Sequence, residues 1–279
     1  MSSAAITPPQ GPADDLLPGS PTPSPPGDEF LQRIEVAVGT DKGKVRPNNE
    51  DSSVARADLG LLAIADGVGG HQAGEIASNL ACSILEASLS FALLAPDVTI
   101  ERCSEAMTLA FKTAGRGIVD KADSNPRFHG MGTTLVSFFM PPEGSEAIVT
   151  HVGDSRLYHA RGQNLTRVTM DHTLYEELVA QGKADRLGAR LAETRNILTR
   201  ALGIKRDYQI DVQRLEVEVG DRLLLCTDGL TDVVTDDEIG TELCSTARDG
   251  QQVVDRLIAM ALQRGGPDNV TIGVAEVIA

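Results

Sequence analysis

GLLAIADG, residues 60–67, is an apolar run of strand length that stops on an aspartate beside a glycine. The same ending closes IVTHVGD at 148–154 and, with Asp before Gly, LLLCTDG at 223–229. Short apolar runs bounded by turn formers read as buried strands. Working outward, RIEVAVGT (33–40), Thr133–Met140, Ala147–Val152, Arg156–Ala160, Gln209–Val217, Asp221–Cys226 and Val270–Val277 also have strand character. Ala73–Leu94 and Thr99–Asp123 space Ala, Leu, Ile and Met as amphipathic helices do, and Val253–Gln263 reads as a further helix. The strands from 133 to 160 are separated only by Pro141-Pro142 and by Gly153-Asp154, connections so short that antiparallel hairpins or a meander are expected. Tyr175 to Ala201 is polar and mixed and reads as an insertion. The sum is one α/β domain from about 30 to 279, rich in antiparallel strands and carrying long helices.

Residues 1–28 are a different material. Eight of the fourteen prolines lie there, among Ser, Thr, Gly and acidic residues. Such a stretch buries too little apolar surface to offset its ordering entropy, so a disordered tail is expected, with docking through its prolines as the alternative.

The chain is acidic, with a formal charge of −15, no Trp and 3% aromatic residues. Nucleic-acid binding is therefore not expected, because a phosphate backbone repels an acidic surface and no aromatic stacking platform exists. Cys82, Cys103, Cys226 and Cys244 form no CxxC pair, so they read as buried free thiols. No Lys or Arg precedes Arg33, and Leu80–Ala95 is interrupted by Ser83, Glu86, Ser88 and Ser90. Neither a secretory leader nor a membrane span is expected, and the cytoplasm is the expected location.

Asp66, Asp154, Asp228 and Asp268 all sit at strand ends among glycines. One aspartate in such a place is usually a turn residue capping its own backbone. Several converging on a sheet edge would repel one another unless protonated or neutralised, and a hard divalent cation is the usual neutraliser. Two such ions can ionise a water near neutral pH. RPNNED (46–51) adds a guanidinium suited to phosphate and two acids able to hold metal-bound waters, although alone it reads as a salt-bridged turn.

In order along the chain stand RPNNED (46–51), AIADGVGGH (63–71), GMGTTL (130–135), HVGDSRLY (151–158), MDHTL (170–174), LLLCTDGLTD (223–232) and GGPDNVT (265–271). Seven motifs in this order resemble the metal-dependent protein phosphatases of type 2C, in their bacterial form, from about residue 34 onward. The resemblance implies an α+β fold, a four-layer α/β/β/α sandwich of two antiparallel sheets flanked by helices. It implies Mn2+ or Mg2+ as cofactor, two core ions and a weaker third. By motif position, Asp66 would bridge the core metals, Gly67 would offer a carbonyl, and Asp228 and Asp268 would complete the core. Asp154 and Asp232, with Asp228 shared, would hold the third ion. Glu50 and Asp51 would act mainly through water, and Arg46 would bind phosphate. Residues 175–201 match a mobile flap that influences substrate choice. The implied reaction is attack of a metal-bridging hydroxide on phosphoserine or phosphothreonine in proteins. Phosphoprotein substrates and a cognate Ser/Thr kinase are the expected partners of a monomer in signalling.

Val68 stands where many eukaryotic members carry a histidine proposed as the leaving-group acid. His71 is a weak substitute, and His172 reads as a structural hydrogen-bonding residue; His129, His151 and His159 have no evident role. Gly67-Val68-Gly69-Gly70 has no GxGxxG or Walker register, and Asp154-Ser155-Arg156 is not a nucleophile elbow. The alternative from another class is a phosphoprotein-binding pseudophosphatase, against which the intact Asp66, Asp228 and Asp268 argue.

Overall fold

A computed structural model describes residues 33–69, 72–95, 97–183, 188–204 and 208–279. The expected tail 1–28 and His71 lie outside them. In β3 (Leu61–Val68), alternate side chains point to opposite faces, as the pleat requires. Leu62 and Ile64 enter an apolar layer between two sheets, while Leu61, Ala63 and Ala65 enter a second layer beneath helices. A strand buried on both faces needs a continuous apolar run, which is why 61–65 carries no polar residue.

β3 lies in a six-stranded sheet with β2 (Asp51–Arg56), β4 (Gly132–Thr133), β5 (Leu135–Phe139), β6 (Glu146–Val152) and β9 (Asp211–Glu216). Its order is β2-β3-β5-β6-β9, with β4 on the end of β3. The facing sheet takes β1 (Ile34–Asp41), β7 (Arg156–Arg161), β8 (Asn164–Arg167), β10 (Arg222–Cys226) and β11 (Val270–Val277) in the order β1-β11-β10-β7-β8. Every pairing is antiparallel. Phe138, Val149, Leu157, Leu223 and Leu225 meet Leu62 and Ile64 between the sheets. Gly273, central in β11, lets the sheets close, since a Cβ there would stand 2.9 Å from Leu62 Cδ1.

α1 (Gln72–Ala92) and α2 (Ile100–Ser124) cover the outer face of the six-stranded sheet through Leu85, Leu89, Met107 and Phe111. Thr99 starts α2 by accepting from the Arg102 N–H. Helices Asp236–Leu243 and Gly250–Gln263 cover the other sheet through Ile239, Leu243, Val253 and Leu257. The layers are helix, sheet, sheet, helix, as the resemblance implied. All four cysteines are buried free thiols.

Three expectations are corrected. Thr133–Met140 is broken at Thr134, whose N–H donates to the Asp66 carbonyl instead of continuing one strand. Asp66 does not follow β3 but lies inside it, because pairing with β2 and β4 extends the ladder to Val68. Gly153-Asp154 does not turn a hairpin: β6 and β7 belong to different sheets. Gly153 has φ +110°, and a Cβ there would stand 2.5 Å from Thr134 Cγ2. Only glycine takes this conformation at little cost, and the chain uses it to cross between the sheets.

Candidate metal centre

The crossing and the strand ends bring the acids together at one edge of the sandwich. Asp51 opens β2 and faces Asp66 across the ladder. Asp228 begins the short helix Asp228–Thr231 that follows β10, and Asp232 ends it, its N–H donating to the Asp228 carbonyl at 2.8 Å. Asp154 follows Gly153, and Asp268 stands two residues before β11. A cavity of about 390 Å³ is lined by Asp66, Gly67, Asp154, Asp228 and Asp268, with Arg46 at its rim. Asp154 and Asp228 also line an adjoining cavity of about 360 Å³, where Asp232 joins them. Glu50 lines the first cavity. Six sequence-derived carboxylates therefore line these two cavities, and Asp51 lies opposite Asp66 in the ladder.

These groups resist ionising together. Burial first, then Asp51, Asp228, Asp154 and Asp268, holds Asp66 well above the ordinary carboxylate range. Burial and the charge of Asp228 push Asp154 up to about 8. Burial pushes Asp51 to about 7 against the pull of two hydroxyl donors, and burial with Asp232 and Asp268 pushes Asp228 to about 6. Burial raises Asp232 as well. Arg46 is the one cationic side chain among the described residues lining the first cavity. Its Nη2 donates to Asp268 Oδ2 at 2.6 Å while 53% of its side chain stays exposed. A single guanidinium cannot balance this many buried acids. Oδ1 of Asp51 and Oδ1 of Asp228 are buried without a hydrogen-bond partner among the described residues. Orphaned carboxylate oxygens beside mutually repelling acids are the donor set that a hard divalent cation takes, so the residues fit the expected ions.

Other residues hold the acids in place. Thr227 and Thr271 donate to Asp51 Oδ2 at 3.0 and 2.7 Å. The Asp66 N–H donates to Thr134 Oγ1, which also bonds Ser155 Oγ at 2.7 Å. Asn269 donates to the Lys42 and Asn48 carbonyls and accepts from the Glu50 N–H, each at 2.8 Å, pinning the RPNNED loop beside Asp268. Sequence reasoning assigned none of these roles. The signal available was position, because Thr227 and Asn269 adjoin Asp228 and Asp268. Gly67 must be glycine, since a Cβ there would stand 2.2 Å from the Gly74 carbonyl oxygen.

His151, His172 and Asp211 form a separate group whose ligand atoms lie within 4.8 Å of one another. Proton placement argues against a metal there. The Gly153 N–H donates to His172 Nδ1 at 3.1 Å, so the ring proton belongs on Nε2, which faces Asp211 Oδ2 at 3.2 Å and lies 3.1 Å from Arg200 Nη1 without accepting from it. No histidine among the described residues lines the acidic cavity.

A family model described as Protein phosphatase 2C matches residues 38–264. The chain belongs to the protein phosphatase 2C family. It is 37% identical over 245 residues to the serine/threonine protein phosphatase PstP of Mycobacterium tuberculosis, a match covering 88% of this chain and 45% of PstP. The chain thus spans about half the length of that relative. The serine/threonine phosphatase stp of Listeria monocytogenes is 34% identical over 242 residues, covering 85% of this chain and 93% of stp. The crystal structure of M. tuberculosis PstP superposes with a TM-score of 0.78 at 36% identity, covering 88% of this chain and all of that one. A structure of the PstP catalytic domain in complex with two manganese ions gives 0.75 at 35% identity, covering 88% and 99%. Like these protein phosphatase 2C members, the chain places its antiparallel sheets face to face. Among its described residues, no helix is long and apolar enough to cross a membrane.

Proposed function

We propose that this chain hydrolyses phosphoserine and phosphothreonine in proteins, with Mn2+ or Mg2+ held in the acidic cavity. The observation that carries the reading is the juxtaposition of buried, mutually repelling aspartates, two of them with orphaned oxygens, against an exposed arginine at the same rim. Membership of the family and the manganese-bound relative support it. Asp66, Asp228 and Asp268, with the Gly67 carbonyl, would hold two ions. Asp154 and Asp232, with Asp228 shared, would hold a third. Bound there, the ions would supply a nucleophile from water at neutral pH and draw charge from the phosphoryl oxygens.

The chain's own groups do the rest. Arg46 presents a forked donor to the phosphoryl group, whose oxygens replace part of its bond to Asp268. Glu50 and Asp51 orient water at the floor, Asp51 held by Thr227 and Thr271. With Val68 and no described histidine at the cavity, the departing serine or threonine oxygen takes its proton from solvent. Asn196 and Leu198 line the cavity, so residues 175–201, of which 184–187 lie outside the described set, would touch the protein substrate. Phosphoprotein substrates imply a Ser/Thr kinase upstream, and the enzyme acts as a cytoplasmic monomer. No observation in the site favours the binding-only alternative.

Phosphopeptide turnover measured with manganese, with magnesium and with EDTA tests this. Turnover with either metal and none in EDTA is expected; activity that persists in chelator defeats the metal reading.

A further inference from the structure

Asp154 is reached through a peptide that is gripped from both sides. The His172 backbone N–H donates to the Gly153 carbonyl at 2.9 Å, and the Gly153 N–H donates to His172 Nδ1 at 3.1 Å. The far side of the same imidazole faces Asp211 Oδ2 at 3.2 Å, and Asp211 Oδ1 accepts from Arg200 at 3.0 Å. The His172 carbonyl accepts from the Thr199 N–H at 2.8 Å, so segment 198–200 is tied to His172 directly by Thr199 and indirectly by Arg200 through Asp211. The ring of His151 stacks on that of His172, with centroids 4.5 Å apart and planes 21° apart. His151 is itself fixed by the bond between its Nε2 and the Met170 carbonyl at 2.9 Å. Both histidines are nearly inaccessible, at 2% and 4% exposure. A catalytic acid must reach the cavity, and this ring does not line it.

We propose that His172 is a positioning residue for Asp154: it fixes the Gly153 peptide so that the next carboxylate points into the acidic cavity, and it ties that placement to segment 198–200. The proposal rests on reading Asp154 as a ligand of the outer cation. Gly153 has no side chain to pack, and its φ of +110° gives it freedom that no other residue there would have. Thr134 closes one side of it and His172 the other. Without the imidazole, Gly153 loses its only side-chain hydrogen-bond partner among the described residues. The Asp154 carboxylate would then sample several directions. Groups that orient a ligand typically govern affinity by roughly ten- to a hundredfold.

Three substitutions divide the contacts. In His172→Asn, the amide occupies the place of Nδ1 and keeps an acceptor for Gly153. In His172→Gln, the side chain reaches toward Asp211 and abandons Gly153. In His172→Leu, both contacts are lost. Each variant, with wild type and Asp154→Asn, is titrated with Mn2+ by calorimetry, and its melting temperature is taken in EDTA. The expected result is a weaker Mn2+ step reduced roughly tenfold or more in the Leu and Gln variants and kept in Asn, with the tighter step unchanged throughout. A Leu variant that keeps the weaker step overturns the proposal. So does a Leu variant that loses both steps together with its melting transition, if the Asn and Gln variants fold and bind alike. Asp154→Asn reports on the underlying reading: if it keeps the weaker step, Asp154 is not a ligand and the positioning role falls with it. Nitrogen NMR of 15N-labelled imidazoles in EDTA is a second readout. It should find the His172 proton on Nε2, and a proton on Nδ1 would refute the bond to Gly153.

Discussion

Asp228→Asn should stabilise the metal-free protein while destroying its response to metal. A carboxyl held above its ordinary value in the folded state binds its proton more tightly there than in the unfolded chain. The folded protein therefore carries the full cost of the charge above the folded value and none of it below the unfolded one. For Asp228 that window runs from 3.8 to about 6, so at pH 7.5 the cost is fully present. At about 1.4 kcal/mol for each tenfold change in proton affinity, it amounts to about 3 kcal/mol. The neighbouring acids share protons with it, and the new amide must find partners, so about 1–3 kcal/mol should be recovered. For a domain of this size that raises the melting temperature by roughly 3–10 °C. Scanning calorimetry in EDTA at pH 7.5 measures it, and the advantage should shrink as the pH is lowered toward 5. Manganese at a hundredfold over its dissociation constant should stabilise wild type by about 2.7 kcal/mol and leave the variant nearly unmoved. A variant that melts below wild type in EDTA at pH 7.5 would refute the account of repelling, orphaned carboxylates. Turnover should be abolished in either case.

Arg46→Ala should raise KM about tenfold or more while lowering kcat less, because the guanidinium binds ground-state phosphate; steady-state kinetics showing only a kcat defect would reject that role. Gly153→Ala should cost about 2–4 kcal/mol in urea unfolding, since its Cβ meets Thr134 at 2.5 Å in a left-handed conformation. A cost within error of zero would mean that the crossing is not constrained as described. Deleting residues 2–28 should leave hydrolysis of an aryl phosphate unchanged, and a large loss would show that this stretch serves the domain.

The strands and long helices were legible wherever burial is periodic. Val270–Val277 was placed to the residue, because all but one of its positions are buried. β2 was missed, since DSSVAR at a sheet edge carries the polar residues of a turn, and only the ladder with β3 makes it a strand. Gly153-Asp154 was misread because a glycine-containing dipeptide that folds a hairpin and one that carries the chain to another sheet have the same composition. What separates them is Thr134, nineteen residues before Gly153. The acids of the cavity were legible as types at strand ends, but their depth was not. Asp51 was expected to act mainly through water, and the sequence did not announce that its carboxylate is wedged between Thr227 and Thr271 with one oxygen lacking a hydrogen-bond partner among the described residues. Those hydroxyls come from the far sheet, and no local pattern announces them.

In the five-stranded sheet, β11 lies between β1 and β10. The first strand of the domain therefore waits for its neighbour until residues 270–277 have been synthesised. Asp268, which enters the cavity just ahead of β11, arrives equally late. A ribosome-bound chain that stops short of residue 270 would have a detached β1 and an acidic cavity with one wall missing. The acidic cavity should consequently be completed only with release of β11, and a nascent chain that has not reached that strand would lack the site that the proposed reaction needs.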